Sequence, residues 1–412
     1  MNLSIIICVY NTPKKLFEGC LRSIKESTLF SESSKYETEI IMIDDGSDTD
    51  YSDLIDKYGL KCTKTENCGI FRARALGVSL ATGEYITFVD SDDTVSFNYH
   101  LPMIEKAENV HADIVINDWA YHTDSSRYYT DADSTLTTES MHLCGEDVIT
   151  AFLSQEGREH SYYVLWNKIY RKEILTKATE RADRESKSIE RYNYSEDALI
   201  NFYAFLSADL VVNLHTGYYF YRIHSSQSVN VASEKSLRAQ ISLMSFTLDK
   251  MDASLKDHPK SETLKKHVQK WREFISRSHF THAKSGGFQN LYPYIMEKYG
   301  VKKLKKSTYR DEICGMRCVP LPDNFTEIDD ALLTAWNNKE LPNLPKRKSG
   351  YMLRTADYFT KQGFEQSPDA PEIPSPKIPF KKRLRFNAFL MRIARILFPK
   401  GSKIRSFLKK RM

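Results

Sequence analysis

The strongest constraint on the fold is the alternation of strand-type and helix-type segments in the first 120 residues. Apolar runs typical of strands occupy residues 3–9, 38–44, 60–66, 84–90 and 111–119. Helix-type segments lie at 12–27, with Thr12 as the expected N-cap and Pro13 as the first helical residue, and at 71–81. This alternation predicts an α/β fold in which helices cover both faces of a mostly parallel sheet.

Polar clusters follow three of these strands. They are Val9-Tyr10-Asn11, Asp44-Asp45-Gly46-Ser47 and Asp90-Ser91-Asp92-Asp93. Because ligands of such sheets bind beyond the carboxyl ends of the strands, the three clusters are expected to share one edge. Carboxylates as close as those of Asp90, Asp92 and Asp93 repel and raise one another's pKa unless a cation or a cationic side chain lies among them. The sequence therefore predicts a positive charge at this edge.

The rest of the chain divides by composition. Residues 121–235 mix strand and helix patterns and complete a first domain, 1–235, whereas residues 236–360 are predicted to be helical. Five prolines between 367 and 379 mark a linker, assigned to residues 361–379. Residues 380–412 form a basic amphipathic tail.

Charge and cysteine content limit the function classes. Residues 377–412 carry thirteen Lys or Arg and no acidic side chain, which leaves the first 376 residues with a net charge of −8. That balance argues against a general nucleic-acid binder.

The cysteines and the first residues indicate the cellular compartment. Seven cysteines without metal-type spacing, and an opening stretch that looks like a strand rather than a signal peptide, fit a reducing cytosol. The sequence contains no run of about 18 apolar residues, so a membrane-spanning helix is not predicted.

The order of several motifs resembles family 2 glycosyltransferases of the GT-A fold, a Rossmann-like α/β fold. The motifs are VYN, IDDGSDTD, NCGIFRARALGVSLATGEYITFVDSDD, WNKIYRKEIL, YSEDALINFYAF and YYFYRIHSSQSVN, within residues 3–230. The resemblance implies that residues 1–235 bind a nucleotide-sugar, of UDP type, and that a divalent metal neutralises its diphosphate. Oxygen ligands suit Mg²⁺ or Mn²⁺.

The resemblance also implies roles at the acidic turn. Asp90 would bind ribose or the donor sugar with Ser91 beside it, Asp92 would bind the metal, and Asp93 would support the turn. His224 would approach the metal or diphosphate, and Arg222 the phosphates. The alternatives are that the acidic triplet caps a following helix and that His224 is an ordinary loop histidine.

Nucleotide recognition is expected at the first two strand ends. Either Asp44 or Asp45 can accept the uracil N3–H and a ribose hydroxyl, and the sequence does not decide between them. Tyr10 can stack on the base. Val9 and Asn11 would present backbone groups to it, and by the resemblance Asn67 and Arg74 lie on its base and phosphate sides. The alternative for Asp44 and Asp45 is a polar turn, for which Asp-Asp-Gly-Ser is well suited.

A catalytic base is expected in the segment SEDALINF. By the resemblance Asp197 takes the proton of the acceptor hydroxyl, with Glu196 as the second candidate, and one base acting on a direct displacement inverts the anomeric carbon. The alternative is an ordinary helix start, with Ser195 as N-cap. Trp166 and Lys168 fit an acceptor-side wall, although a core tryptophan is an equally simple interpretation.

The tail predicts attachment to a membrane surface. Phe386, Phe389, Leu390, Ile393 and Leu397 share a helical face, with arginines roughly opposite, as in helices that lie in the membrane interface. We therefore expect a cytoplasmic enzyme held at the inner face of the cell membrane by residues 380–412. Its acceptor would be a lipid-linked or polymeric saccharide. The alternative is an RNA-binding or partner-binding tail.

Two other functions fit parts of the pattern. A nucleotidyltransferase that makes sugar nucleotides would also use carboxylate-bound Mg²⁺, but it requires a glycine-rich phosphate loop that CVYNTPKK lacks. A non-catalytic membrane-bound scaffold would not need both Asp92 and Asp197. Residues 236–360 could complete the acceptor site or mediate homo-oligomerisation.

Overall fold

A central sheet with helices on both faces organises the chain. The computed structural model describes residues 2–32, 34–122, 127–130, 142–158, 160–222, 233–304 and 318–320. Its strands are β1 (Leu3–Val9), β2 (Thr38–Asp44), β3 (Lys61–Lys64), β4 (Tyr85–Phe88), β5 (Thr94–Val95), β6 (Ile114–His122), β7 (Arg127–Thr130), β8 (His142–Cys144), β9 (Lys168–Arg171), β10 (Leu210–Arg222) and β11 (Cys318–Pro320).

The helices connect and cover these strands. They are α1 (Lys14–Lys25), α2 (Ser52–Tyr58), α3 (Ile70–Leu80), α4 (His100–Val110), α5 (Glu146–Ser154), α6 (His160–Tyr163), α7 (Lys172–Glu185), α8 (Glu196–Ser207), α9 (Glu234–Ser254), α10 (Ser261–Ser285) and α11 (Tyr292–Tyr299), with 3₁₀ turns at Thr28–Phe30 and Gln289–Leu291. No helix within the described ranges is long and apolar enough to cross a membrane.

The sheet is parallel where the predicted site lies. Its order is β11-β7-β6-β9-β4-β1-β2-β3, and β10 runs along β6 and also pairs with β5 and β8. Strands β3, β2, β1 and β4 are mutually parallel. Val9 of β1 lies opposite Asp44 of β2, so the two strands end together. Beyond β4 the sheet continues with β9, which is antiparallel to both β4 and β6 and was not among the predicted strands.

Side chains of β1 alternate between two hydrophobic clusters because the strand is covered on both faces. Leu3, Ile5, Ile7 and Val9 pack with residues of α1, α2 and α4. Ile6 packs on the other face in a cluster that includes residues of α3 and of α7 to α11. The helices after Glu234 therefore share their core with the sheet.

The start of α1 differs from the prediction. The helix begins at Lys14 with Pro13 as its N-cap residue, and no side chain caps it. The Thr12 hydroxyl instead lies 2.7 Å from the Ser91 hydroxyl, at the end of a different strand. The N-cap prediction was wrong because a contact distant in sequence engages this hydroxyl.

Candidate active site

The ends of β1 and β2 are joined by hydrogen bonds. The Asp45 N–H donates to the Val9 carbonyl at 2.9 Å. Asn11, whose φ is +50°, donates its N–H to the Ser47 hydroxyl at 2.9 Å and accepts the Asp48 N–H on its side-chain oxygen at 2.9 Å. The side chain of Tyr10, which lies between Val9 and Asn11, is 55% exposed. An exposed aromatic ring at this edge is available for the predicted stacking on a base.

Asp44 and Asp45 are both buried and hold different loops. Asp44 accepts the Ser47 N–H at 2.8 Å and lies 3.3 Å from the Lys64 ammonium. Asp45 accepts the N–H groups of Cys68 at 2.7 Å and Gly69 at 2.9 Å, one on each oxygen. The turn interpretation therefore describes Asp44. A carboxylate has about four acceptor positions, so these contacts do not use the full acceptor capacity of either residue. Binding of a nucleotide by Asp44 or Asp45 stays a prediction.

Gly69 allows this loop to close over Asp45. Its backbone has φ +90° and ψ 160°, a conformation that is essentially restricted to glycine. A Cβ at this position would overlap the side-chain oxygen of Asn193, in the segment that leads into α8. The sequence gives no local sign of this close approach.

Replacing Gly69 with alanine is expected to lower the free energy of unfolding by about 1–3 kcal/mol, because both backbone strain and the contact with Asn193 oppose the Cβ. Urea unfolding measures the change. Gly59→Ala is the matched control, since Gly59 also has positive φ (+62°) but its Cβ would meet no atom within 4 Å. An equal loss in both variants would contradict a role for the contact with Asn193.

The acidic turn after β4 contains two kinds of carboxylate. Asp93 is 1% exposed and accepts the Tyr219 hydroxyl at 2.7 Å and the Arg222 N–H at 2.6 Å. It therefore supports the turn. The Asp90 side chain is 29% exposed and accepts a hydrogen bond from Arg74 at 3.0 Å. Burial, opposed by the charge of Arg74, raises the pKa of Asp90.

The helix-cap interpretation of this turn is wrong. β5 follows the acidic residues directly, and α4 begins only at His100, without an acidic residue in its first turn. Ser91 is buried against Thr12, and the Arg222 guanidinium donates to the Asp92 carbonyl at 2.8 Å through Nε. Tyr219, which sequence reasoning did not single out, also accepts the Asp90 N–H at 2.9 Å. No local pattern marks it, because it reaches the turn from β10.

Arg74 joins the acidic turn to the start of α8. Its guanidinium donates to Asp90 at 3.0 Å and to Glu196 at 2.8 Å, although Glu196 lies 122 positions away in the sequence. Both side chains of the Arg74–Glu196 pair are 8% exposed. The candidate base segment and the acidic turn therefore meet around one buried guanidinium.

The two carboxylates at the start of α8 have different surroundings. Glu196 is buried against Arg74, whereas Asp197 is only partly buried and accepts the Ala198 N–H at 2.8 Å. Burial raises the pKa of both carboxyl groups; the charge of Asp197 adds to the rise at Glu196, and Arg74 opposes it at both. Ser195 has φ +65° and its side chain does not cap the helix, so this is not the ordinary helix start described as the alternative.

The residues predicted for the acceptor side are buried. Trp166 is 5% exposed and stacks on Tyr219 with ring centroids 4.3 Å apart. Lys168 is 0% exposed, and its ammonium donates to the Val164 carbonyl at 2.5 Å and to the Asn167 side chain at 2.7 Å. This placement favours the core interpretation of Trp166 and puts both side chains behind the site rather than on an open wall.

Two further predicted residues complete the comparison with the sequence. The carbonyl of Asn67 accepts a hydrogen bond from Arg191 at 3.4 Å, beside the loop that Asp45 holds. His224 lies outside the described residues. Within the described ranges, no group of three or more His, Cys, Asp and Glu side chains is arranged to hold a metal ion.

Several known proteins resemble this chain in sequence. A sequence model described as Glycosyl transferase family 2 matches residues 4–177. EpsH of Bacillus subtilis (strain 168), named among the glycosyltransferases, is 29% identical over 247 residues, which is 58% of this chain and 66% of EpsH. Glycosyltransferase GlyA of Streptococcus pneumoniae serotype 4 is 24% identical over 351 residues, which is 81% of this chain and 45% of GlyA. The chain thus spans less than two thirds of either relative.

A solved structure shares the fold. Residues 1–349 of S. aureus TarS superpose with a TM-score of 0.50 at 18% identity, covering 89% of this chain and 93% of that one. At this identity the likeness concerns the fold. Together with the sheet order and the family match, it confirms the predicted α/β fold of GT-A type.

Proposed function

We propose that this chain, whose residues 4–177 match the model of glycosyl transferase family 2, transfers a sugar from a UDP-type nucleotide-sugar to a saccharide hydroxyl with inversion. One observation carries the proposal. The buried Arg74 holds Asp90, at the donor edge of the sheet, and Glu196, at the start of α8, at 3.0 and 2.8 Å. This brings a donor-binding carboxylate beside a candidate base.

Asp197 is the base in this proposal and Glu196 is a positioning residue. The carboxylate of Glu196 is occupied by Arg74, whereas the hydrogen bond that Asp197 accepts comes from the backbone of its own helix. Asp197 therefore keeps acceptor capacity for the proton of an attacking hydroxyl. One base acting on a direct displacement gives inversion at the anomeric carbon.

The donor would occupy the edge formed by the three strand ends. Tyr10 would stack on the base, Asp44 or Asp45 would accept its N–H, and Val9, Asn11 and Asn67 would complete the nucleotide site. The sugar and phosphates would reach the second part of the site, which is formed by Asp90, Ser91, Arg74 and Arg222.

The residues present fit a divalent metal held mainly by the donor. Asp92 is partly exposed at the acidic turn, and Mg²⁺ or Mn²⁺ is commonly bound by one or two carboxylates together with substrate phosphates. Asp92 would hold the ion, with His224 as a further candidate ligand. When bound, the metal would neutralise charge on the leaving diphosphate.

Release of UDP tests this function. Purified protein supplied with UDP-sugars, an acceptor extract and Mn²⁺ or Mg²⁺ is expected to release UDP, and EDTA or Asp92→Asn is expected to lower the rate by about 100-fold or more, because charge on the leaving group is then unopposed. Asp48→Asn, at an exposed position of the neighbouring turn, is the control. Release of pyrophosphate from a nucleoside triphosphate, or UDP release unaffected by EDTA and Asp92→Asn, would contradict the proposal.

The acceptor and the attachment to the membrane are a further part of the proposal. The basic and apolar spacing of residues 380–412, which lie outside the described residues, supports peripheral binding to an anionic inner leaflet and a lipid-linked or polymeric saccharide as acceptor. Deleting residues 377–412 is expected to remove the enzyme from the membrane fraction and to leave UDP release in solution within about twofold, since the described site lies outside the tail. Unchanged fractionation would refute this attachment.

A further inference from the structure

The backbone just before the two carboxylates of α8 is strained. Ser195 adopts φ +65° and ψ 8°, a left-handed conformation that costs free energy for any residue other than glycine. Ser commonly relieves a helix start by capping it, yet the Ser195 side chain makes no cap. Such a conformation persists only where the surrounding structure imposes it.

The contacts that hold Ser195 in this conformation involve a side chain of α9. The Ser195 hydroxyl lies 2.7 Å from the Thr247 hydroxyl, and the Tyr192 hydroxyl lies 2.5 Å from the same atom. Thr247 itself can donate to the Leu243 carbonyl at 3.1 Å. Each hydroxyl has one proton, so Thr247 can accept from Tyr192 and from Ser195 while it donates to Leu243. All three hydroxyls then have partners.

Two residues of this cluster of hydroxyls are buried, Ser195 is partly exposed, and the cluster is packed on both sides. Thr247 is 0% and Tyr192 3% exposed. The Tyr192 ring contacts Phe71 at the start of α3 and Phe246 on α9, with centroids 5.5 and 5.7 Å apart. Phe71 precedes Arg74 on the same helix. The cluster therefore lies between α9 and the two elements that carry Arg74, Glu196 and Asp197.

We propose that Thr247, acting through Ser195 and Tyr192, is a positioning residue that sets the direction of the first turn of α8 and so the placement of Asp197. The inference rests on the proposed function. It assigns α9 a role in the reaction, because this helix stabilises the strained backbone that immediately precedes the proposed base. Loss of the Thr247 hydroxyl removes the shared acceptor while the shape of the side chain stays almost unchanged.

Thr247→Val tests the proposal. We expect kcat to fall by about 10- to 100-fold, as for displacement of a catalytic group by a fraction of an ångström, with KM for the donor changed less than twofold. Amide hydrogen exchange in residues 192–200 should become faster. Thr247→Ser, which retains the hydroxyl, should restore both. Tyr192→Phe should change both in the same direction but less, and it provides the test if Thr247→Val does not fold.

Ser245→Ala is the matched control. Ser245 is also buried on α9, but its hydroxyl donates to the Lys298 carbonyl at 2.8 Å, toward α11 rather than α8. It should lower stability without changing kcat or exchange in residues 192–200. Equal effects of Ser245→Ala and Thr247→Val, or none from Thr247→Val, would overturn the inference. If the wild-type protein releases no UDP, the proposed function fails, and the exchange measurements still decide whether Thr247 holds α8.

Discussion

Replacing Asp197 with asparagine is expected to lower kcat by about 10²- to 10⁴-fold, the usual contribution of a general base. The amide keeps the size of the side chain and can still accept the Ala198 N–H, but it cannot take the proton of the acceptor hydroxyl. Binding of UDP should change less than about threefold, because in the proposed reaction the base acts on the acceptor rather than on the nucleotide. Steady-state UDP release and calorimetric titration with UDP measure the two effects.

Glu196→Gln separates the two candidate bases. Because Glu196 is engaged by Arg74, its amide variant should lose stability and retain more kcat than Asp197→Asn. The opposite order would make Glu196 the base.

The pH profile offers a second view of Asp197. A base acts in its deprotonated form, and burial raises the pKa of Asp197 above its ordinary value although Arg74 opposes the rise. Activity should therefore fall as the pH decreases, and the fall should begin at a higher pH than for an exposed aspartate, whose pKa is about 4. The dependence of kcat/KM on pH tests this in the wild-type enzyme.

Replacing Arg74 with methionine is expected to lower the free energy of unfolding by about 3–5 kcal/mol, the cost of leaving buried charge without its partner. Glu196 would lose its cation in a site where its side chain is 8% exposed, and Asp90 would lose the same partner. Donor turnover should fall as well, since Arg74 holds both sides of the site together. Urea unfolding monitored by circular dichroism measures the loss of stability.

Arg72→Met is the matched control on the same helix. Arg72 pairs with Asp183, but both side chains are about one third exposed, so loss of this pair should cost about 0–1 kcal/mol. Arg74→Lys should fall between the two, because an ammonium cannot reproduce the two directed contacts of the guanidinium. A loss of stability in Arg74→Met no larger than that in Arg72→Met would contradict the assigned role of Arg74 at the centre of the site.

The strands and the edge of the sheet were predictable because they follow from patterns among neighbouring residues. The apolar run of residues 3–9 coincides with β1, and residues 38–44 coincide with β2. The acidic residues after β4 could be placed at the carboxyl edge by the rule for parallel sheets. Details that depend on distant partners were less accessible: Thr12 bonds to Ser91 instead of capping α1, and Trp166 and Lys168 are buried behind the site.

The amino-acid sequence by itself determined the layered α/β fold, the edge of the sheet at which the carboxylates gather, and the match of residues 4–177 to the model of glycosyl transferase family 2. Only the tertiary structure decided that Arg74 joins Asp90 to Glu196, which leaves Asp197 as the proposed base, and that the Thr247 hydroxyl of α9 contacts Ser195. The physical reason is the distance along the chain over which each interaction acts. Apolar periodicity and turn chemistry act between neighbours in the chain, whereas a buried guanidinium or hydroxyl takes its partner from whatever element packs against it.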